Sequence, residues 1–159
     1  MERQYSTFYL GDALFGIDIL LVNEINRHLD ITIVEQAPEF VCGLLNLRGQ
    51  IVTVIDLGVR LGLGAREIKP SSRIVVLKTA AEIQSRIGKS QTDDTTAEDV
   101  VGLLVDRIGD MVSVAEEKME QAPANIAGVD GKYISGVAPV GGSLMVALQA
   151  REILKMDNG

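Results

Sequence analysis

The stretch from Pro38 to Leu57, PEFVCGLLNLRGQIVTVIDL, constrains the fold more than any other part of this chain. Its second half, Ile51 to Ile55, is Ile-Val-Thr-Val-Ile, and β-branched side chains with restricted χ1 angles favour a strand. Pro38 suits the first turn of a short helix, because its missing N–H would be unpaired there anyway, and Gly43 would end that helix. Between the predicted helix and the predicted strand, the sequence predicts an exposed turn at Asn46–Gly49 that leads into the core strand.

A second copy of this pattern follows later in the chain. The segment GVAPVGGSLMVALQA from Gly136 aligns without a gap to GLLNLRGQIVTVIDL from Gly43. Self-similarity of this kind is typical of a duplicated structural unit, so we expect two small β modules, each about half of the chain. The second copy has Gly141 where the first has Arg48. A residue needed by the scaffold would occur in both copies, so Arg48 is interpreted as a surface specialisation.

The remaining elements are predicted from apolar spacing and turn residues. Strands are expected in a hairpin from Tyr5 to Ile17 with a Gly11-Asp12 turn, and in VNEI, RIVVLKT, VVGLLVDRIGDMVSV and the segment from Ser135 to Leu148. One or two helical turns are expected after Leu57, and a C-terminal helix from Gln149 to Met156.

Residues Ala80 to Asp99 differ in composition from the rest of the chain. They are polar, lack aromatic side chains and show no clear period. A segment of this kind inside a compact domain is typical of an insertion, so residues 80–99 are predicted to form a flexible loop.

Composition excludes several classes of function. The net charge of −7 argues against binding to nucleic-acid phosphates or to anionic lipid. A single cysteine, Cys42, excludes an intrachain disulfide and fits a reducing cytoplasm. The N-terminus has no apolar segment of the kind that a signal peptide needs, and no apolar run is long enough to span a bilayer. We therefore expect a cytoplasmic protein whose partners are proteins or small polar ligands.

Catalytic and cofactor motifs are weak. No phosphate-binding glycine loop is present, and His28 and Cys42 are too few for a zinc or haem site, so no cofactor or metal is predicted. Several carboxylates lie beside apolar strands, and a pair of them, such as Glu24 and Asp56, could act in a small acid–base hydrolase. The commoner role of such residues is to form turns and solvated edges. The hydrolase remains an alternative.

A peptide-binding module is the second alternative. Small β barrels of the SH3 type often grip proline-rich peptides in an aromatic groove, but this chain has three Phe, three Tyr and no Trp. A groove of aliphatic side chains edged by Glu24 and Arg48 suits an apolar helix of a partner better. An ion pair between these two residues would hold the arginine ready for a partner.

The same residues resemble the CheW family of chemotaxis coupling proteins. The resemblance is carried by FYLGDALFGIDILLVNEI, by NLRG followed by an aliphatic strand and Asp56, by RIVVLKT and VVGLLVDRIGDMVSV, and by the terminal YISGVAPVGGSLMVALQAREIL. It covers about Tyr5 to Leu154, interrupted chiefly by residues 80–99. The sequence departs from the family pattern at Thr53, where proline is common, and at Gln149, where an acidic residue is usual.

The resemblance implies a fold, a function and partners. The fold would be all-β with short helices, two packed five-stranded SH3-like barrels within one domain over residues 1–159. The function would be that of a non-enzymatic adaptor, recruited to membrane-anchored receptor arrays. It would link the cytoplasmic helical tip of a chemoreceptor to the regulatory domain of a CheA-type histidine kinase. The implied receptor-binding residues are Val22, Glu24, Asn46, Arg48 and Gly49. Val101 and Gly102 are the implied kinase-binding residues.

Overall fold

Strand pairing divides the chain between two five-stranded sheets in the computed structural model, which describes residues 1–86 and 94–155. Within those residues the strands are β1 (Glu2–Leu10), β2 (Ala13–Asp18), β3 (Val22–Asn26), β4 (Val41–Leu47), β5 (Gln50–Asp56), β6 (Arg73–Leu77), β7 (Val101–Val105), β8 (Arg107–Ala115), β9 (Asn125–Ile126), β10 (Val129–Asp130), β11 (Ile134–Val140) and β12 (Ser143–Leu148). The helices are α1 (Leu57–Arg60), α2 (Ala80–Arg86) and α3 (Ala150–Ile153), with 3-10 turns at Ile19–Leu21, Glu116–Lys118 and Gly131–Tyr133.

The two large sheets have the same topology. Barrel 1 has the strand order β4-β5-β7-β6-β3, and barrel 2 has the order β11-β12-β2-β1-β8. In both, the second and third strands run parallel and all other neighbours run antiparallel. Gly43 pairs with Val54 beside a register shift, and Gly136 pairs with Ala147 beside an equivalent shift. The predicted repeat is therefore confirmed as a correspondence between two hairpins.

The barrels are not successive halves of the chain, as the repeat suggested. The N-terminal hairpin, β1 and β2, pairs with β8 and β12 and so belongs to barrel 2. Among the described residues α3 is the last element after β12, so no later strand supplies the positions that β6 and β7 fill in barrel 1. The N-terminal hairpin fills them.

Each sheet curls so that its two ends meet. The chain beyond β3 returns to the opposite edge of barrel 1, where Thr32 bridges Leu44 of β4. In barrel 2 the chain beyond β8 does the same, and Glu120 bridges Val137 of β11. Closure pairs backbone groups that an open edge strand would leave exposed.

The middle strands are apolar on both faces because they border two cores. In β7, Val101 and Leu103 join a cluster between the barrels that also contains Phe8 and Phe15 of barrel 2. Leu104, on the other face, joins a cluster confined to barrel 1. A strand buried on both sides therefore has a continuous apolar sequence instead of an alternating one.

Residues around Pro38 do not form the predicted helix. The Val41 amide donates to the Pro38 carbonyl at 2.9 Å in a single turn, and β4 begins at Val41. Phe40 is buried, and its carbonyl accepts from the Asp56 amide at 2.7 Å. A helix this short is hard to nucleate, and pairing with β5 gives the segment more hydrogen bonds.

The segment from residue 80 to 99 differs from the predicted loop at both ends. Helix α2 begins with a capping box: the Thr79 amide donates to Glu82 Oε1 at 3.0 Å, and the Glu82 amide donates to Thr79 Oγ1 at 3.3 Å. Ile83 is buried in the core between the barrels. The returning chain is held by the Ala80 amide, which donates to the Ala97 carbonyl at 2.8 Å. Residues 87–93, the rest of the predicted loop, lie outside the described residues.

The C-terminal helix is shorter than predicted. It is α3, Ala150–Ile153, and Ala150, Ile153 and Leu154 are buried as the apolar spacing indicated. Met156, the predicted end, lies outside the described residues. Helix α1 occupies the matching position after β5 in barrel 1.

Candidate functional site

The turn between β4 and β5 presents Arg48 to solvent. Leu47 pairs with Gln50, so Arg48 and Gly49 form a two-residue hairpin loop. Both have positive φ, 54° and 85°, as a type I′ turn requires. Asn46 Oδ1 accepts the Gly49 amide at 2.9 Å and so bridges the turn. The turn is thus fixed by backbone pairing on one side and by a side chain on the other.

An ion pair connects this turn to the far edge of the same sheet. The Arg48 guanidinium hydrogen-bonds Glu24, which lies on β3. Strand β3 is the other end of barrel 1, so the pair also spans the line along which the barrel closes. The Arg48 side chain is 70% exposed and that of Glu24 28%. Solvent screening limits such a pair to about 0–1 kcal/mol of stability, so the pair contributes little to folding.

An exposed isoleucine lies beside the charged pair. Ile51 of β5 is 55% exposed and pairs directly with Asn46 of β4, so the two side chains share one face of the hairpin. Sequence reasoning missed this role, because Ile51 opens a β-branched run predicted to be core. The pairing register alone turns its first side chain outward.

The structure brings together four of the five predicted receptor-binding residues. Glu24, Asn46, Arg48 and Gly49 are joined by the ion pair and by the bond across the turn. Val22 begins the strand that carries Glu24, but it is half-buried and packs against the core between the barrels. Only part of its surface is available to a partner.

The structure buries both of the predicted kinase-binding residues, so this prediction is corrected. Val101 is 2% exposed, and Gly102 is buried beside it in β7, the central strand of barrel 1. A Cβ atom added at Gly102 would lie 2.4 Å from Ile74 Cγ2. These residues pack the interior of the sheet, so a partner cannot touch them while the barrel is folded.

The carboxylates considered for catalysis have structural partners. Asp56 is buried and accepts the Val59 and Arg66 amides at 3.2 and 2.9 Å, so it caps α1 instead of facing Glu24. Asp18 pairs with Arg3 at 2.6 Å and Asp106 accepts the Gly11 amide at 2.6 Å. Across residues 1–86 and 94–155 no group of three or more acidic, histidine or cysteine side chains is placed to hold a metal ion.

Fold and site together define a binding protein made of two β barrels, with a charged and apolar surface patch. Comparison with known proteins agrees with that class. The model of the CheW-like domain matches residues 4–158, so the chain belongs to the CheW family. This family consists of scaffolding and coupling proteins of chemotaxis, which are not enzymes.

Relatives match the chain over nearly its whole length. A chemotaxis protein CheW of Treponema pallidum is 31% identical over 99% of this chain and 88% of the relative. One of Rhizobium meliloti is 29% identical, over 98% and 89%. The crystal structure of the scaffolding protein TtCheW from Thermoanaerobacter tengcongensis superposes with a TM-score of 0.79 at 26% identity, covering 100% of this chain and 92% of that one. The predicted fold class and family are both confirmed.

Among the described residues, no helix combines the length and the apolar character needed to cross a membrane.

Proposed function

We propose that this chain is an adaptor that links the cytoplasmic helical tip of a chemoreceptor to a CheA-type histidine kinase. The observation that carries the receptor part is the Glu24–Arg48 pair on a fixed turn beside exposed Ile51. An apolar side chain next to an oriented guanidinium suits a helix that presents an aliphatic residue and a carboxylate or a free carbonyl. The receptor site is thus Glu24, Asn46, Arg48 and Gly49, with the exposed part of Val22.

An adaptor needs a second surface for its other partner. Large apolar side chains are exposed on both barrels at matching positions. Ile51 follows the β4–β5 turn and Leu144 follows the β11–β12 turn, each as the second residue of its strand. Because Val101 and Gly102 are buried, the kinase surface lies on exposed edges and turns, and barrel 2 offers Met111 of β8 and Leu144. These two residues replace the buried pair in our proposal.

Charge reversal at Arg48 tests the receptor site. Arg48→Glu places two carboxylates together at an exposed position, so we expect the melting temperature to stay within about 2 °C, because such a pair contributes little. Binding of a receptor cytoplasmic fragment should be lost and binding of the kinase kept. The measurement is a three-component pull-down of the full chain, receptor fragment and kinase.

The matched control for that experiment is Lys69→Glu. Lys69 is exposed on the loop between α1 and β6, and its substitution changes the net charge by the same amount. It should leave both partners bound. The receptor assignment is wrong if Arg48→Glu still joins receptor to kinase, or if Lys69→Glu loses receptor equally.

A further inference from the structure

Four two-residue hairpin turns occur within the described residues, and their first positions share one conformation. The turn residues are Gly11-Asp12, Arg48-Gly49, Ala127-Gly128 and Gly141-Gly142. The first residue of each has φ between 54° and 60°. This left-handed region suits glycine, which occupies it in two of the turns, and disfavours a residue with a Cβ atom.

Among these turn residues, Arg48 is the one whose backbone conformation affects a contact with another strand. Its guanidinium reaches Glu24 on another strand, so the backbone at residue 48 sets where the charge lies. A relaxation of φ towards negative values would swing the side chain away from Glu24. Asn46 Oδ1 opposes that relaxation, because its 2.9 Å bond to the Gly49 amide exists only while the turn is closed.

Two of the other turns have no such bond and allow a comparison. In barrel 2 the first turn residue is Gly141, and Pro139 stands where barrel 1 has Asn46. The sequence Asn125-Ile126-Ala127-Gly128 has the same order as Asn46-Leu47-Arg48-Gly49, yet no hydrogen bond from the Asn125 side chain crosses its turn within the described residues. Ala127 keeps a φ of 54° without that bond, but it has no long side chain whose position depends on the turn.

We infer that Asn46 belongs to the proposed receptor site as a positioning residue: it holds the left-handed turn so that Arg48 points at Glu24, and it affects the partner through Arg48 and not by direct contact. The part of this inference that concerns binding rests on the proposed receptor site. The part that concerns the turn does not, and it is tested separately.

The first test is a double-mutant cycle for stability between positions 46 and 48. Asn46→Ala in the natural chain should lower the melting temperature by about 2–4 °C, the shift expected in a chain of this size for one lost hydrogen bond. In an Arg48→Gly background the same change should lower it by less than about 1 °C, because glycine needs no support in this turn. Asn125→Ala is the matched control and should also stay within about 1 °C. Equal losses in both backgrounds would overturn the inference.

Hydrogen exchange at the Gly49 amide gives a readout specific to the turn. Exchange should become faster in Asn46→Ala and return towards the natural rate in Asn46→Asp, which keeps an acceptor oxygen at the same place. An unchanged Gly49 rate in Asn46→Ala would show that the bond does not hold the turn.

The second test is the same cycle for binding of the receptor fragment. Asn46→Ala should weaken binding about three- to tenfold, the range of one hydrogen bond, and Asn46→Asp should restore it to within about twofold. With Arg48→Gly already present, Asn46→Ala should cause no further loss. A further loss in that background would show a direct contact and overturn the inference. A natural chain that binds no receptor fragment would refute the proposed function, while the stability cycle would still decide the role of Asn46.

Discussion

At the level of single residues, the burial of Cys42 changes the chemistry of its thiol. It lies on β4, half-buried, and packs against the core of barrel 1. Burial, with a smaller contribution from the charge of Asp56, raises the pKa of the Cys42 thiol to about 11. The thiolate is the nucleophilic form, so the folded protein holds Cys42 in its inert form at neutral pH.

We expect Cys42 to react slowly with a thiol reagent at pH 8 in the folded protein and rapidly in urea. Because the folded pKa is raised above the ordinary value of 9.0, the thiol's contribution to stability is complete below pH 9. That contribution is lost as the pH rises from about 9 to about 11. Reaction rates with and without urea measure the first effect, and urea unfolding across that pH range measures the second. Cys42→Ala should remove the part of the pH dependence that is due to this thiol, and equal rates in both states would contradict the burial.

At the scale of elements, matching helices are capped in two different ways. Asp56 immediately precedes α1 and accepts the Val59 amide from its own cap position. Gln149 holds the equivalent place before α3 and makes no side-chain cap bond. Asp94, from a distant part of the chain, caps α3 instead: its carboxylate accepts the Ala150 and Arg151 amides at 2.7 and 2.9 Å. The departure noted at Gln149 is therefore offset by a residue that sequence analysis assigned to a flexible insertion.

Asp94→Ala should destabilise the protein by about 1–2 kcal/mol, the range for loss of a helix cap. Asp94→Asn keeps an acceptor oxygen and should cost about 0.5 kcal/mol or less. Asp130→Ala is the control, because Asp130 caps only a three-residue turn through one 3.0 Å bond to the Lys132 amide, and its effect should be smaller. Urea unfolding at neutral pH measures all three. An Asp94→Ala protein as stable as the natural chain would show that α3 does not depend on this cap.

At the scale of the whole molecule, Arg60 forms hydrogen bonds that connect the two barrels. It ends α1, beside barrel 1, and donates to the carbonyls of Glu152, Ile153 and Lys155 at the end of α3, at 3.1, 2.8 and 2.6 Å. Its guanidinium also lies 4.3 Å from the ring centre of Phe40. A planar group with five donors can satisfy several helix-end carbonyls at once, which lysine cannot.

Arg60→Met keeps the apolar stem and removes the donors, so we expect a loss of about 1.5–3 kcal/mol, the range for hydrogen bonds to a charged group. The control is Arg107→Met, which removes a guanidinium 3.8 Å from the ring centre of Tyr9 within barrel 2 and should cost about 1 kcal/mol or less. Calorimetry of both variants compares them. Equal losses of stability in the two variants would show that the Arg60 contact between the barrels contributes no more than the Arg107 contact within barrel 2.

Local patterns in the sequence were enough to predict the elements that depend on neighbouring residues. The β-branched run from Ile51 predicted β5, and the apolar run VVGLLV predicted β7. Glycine first in a two-residue loop predicted the first hairpin, and the gapless repeat predicted the two matching hairpins. It also identified Arg48 as a surface residue, because the repeat replaces it with glycine. The CheW resemblance then implied a family that the comparisons confirm.

Features that depend on residues far apart in the chain could be assigned only from the folded structure. The N-terminal hairpin completes barrel 2 because only pairing between strands assigns a strand to a sheet. Val101 and Gly102 are inaccessible because two cores cover both faces of β7, and Asp94 caps α3 because the fold places it beside the first turn of that helix. The sequence also named Glu24 and Arg48 as a pair, but their contact required barrel 1 to close and bring its first strand round to the β4–β5 turn. Local propensity acts over a few residues, whereas burial and closure are properties of the folded chain.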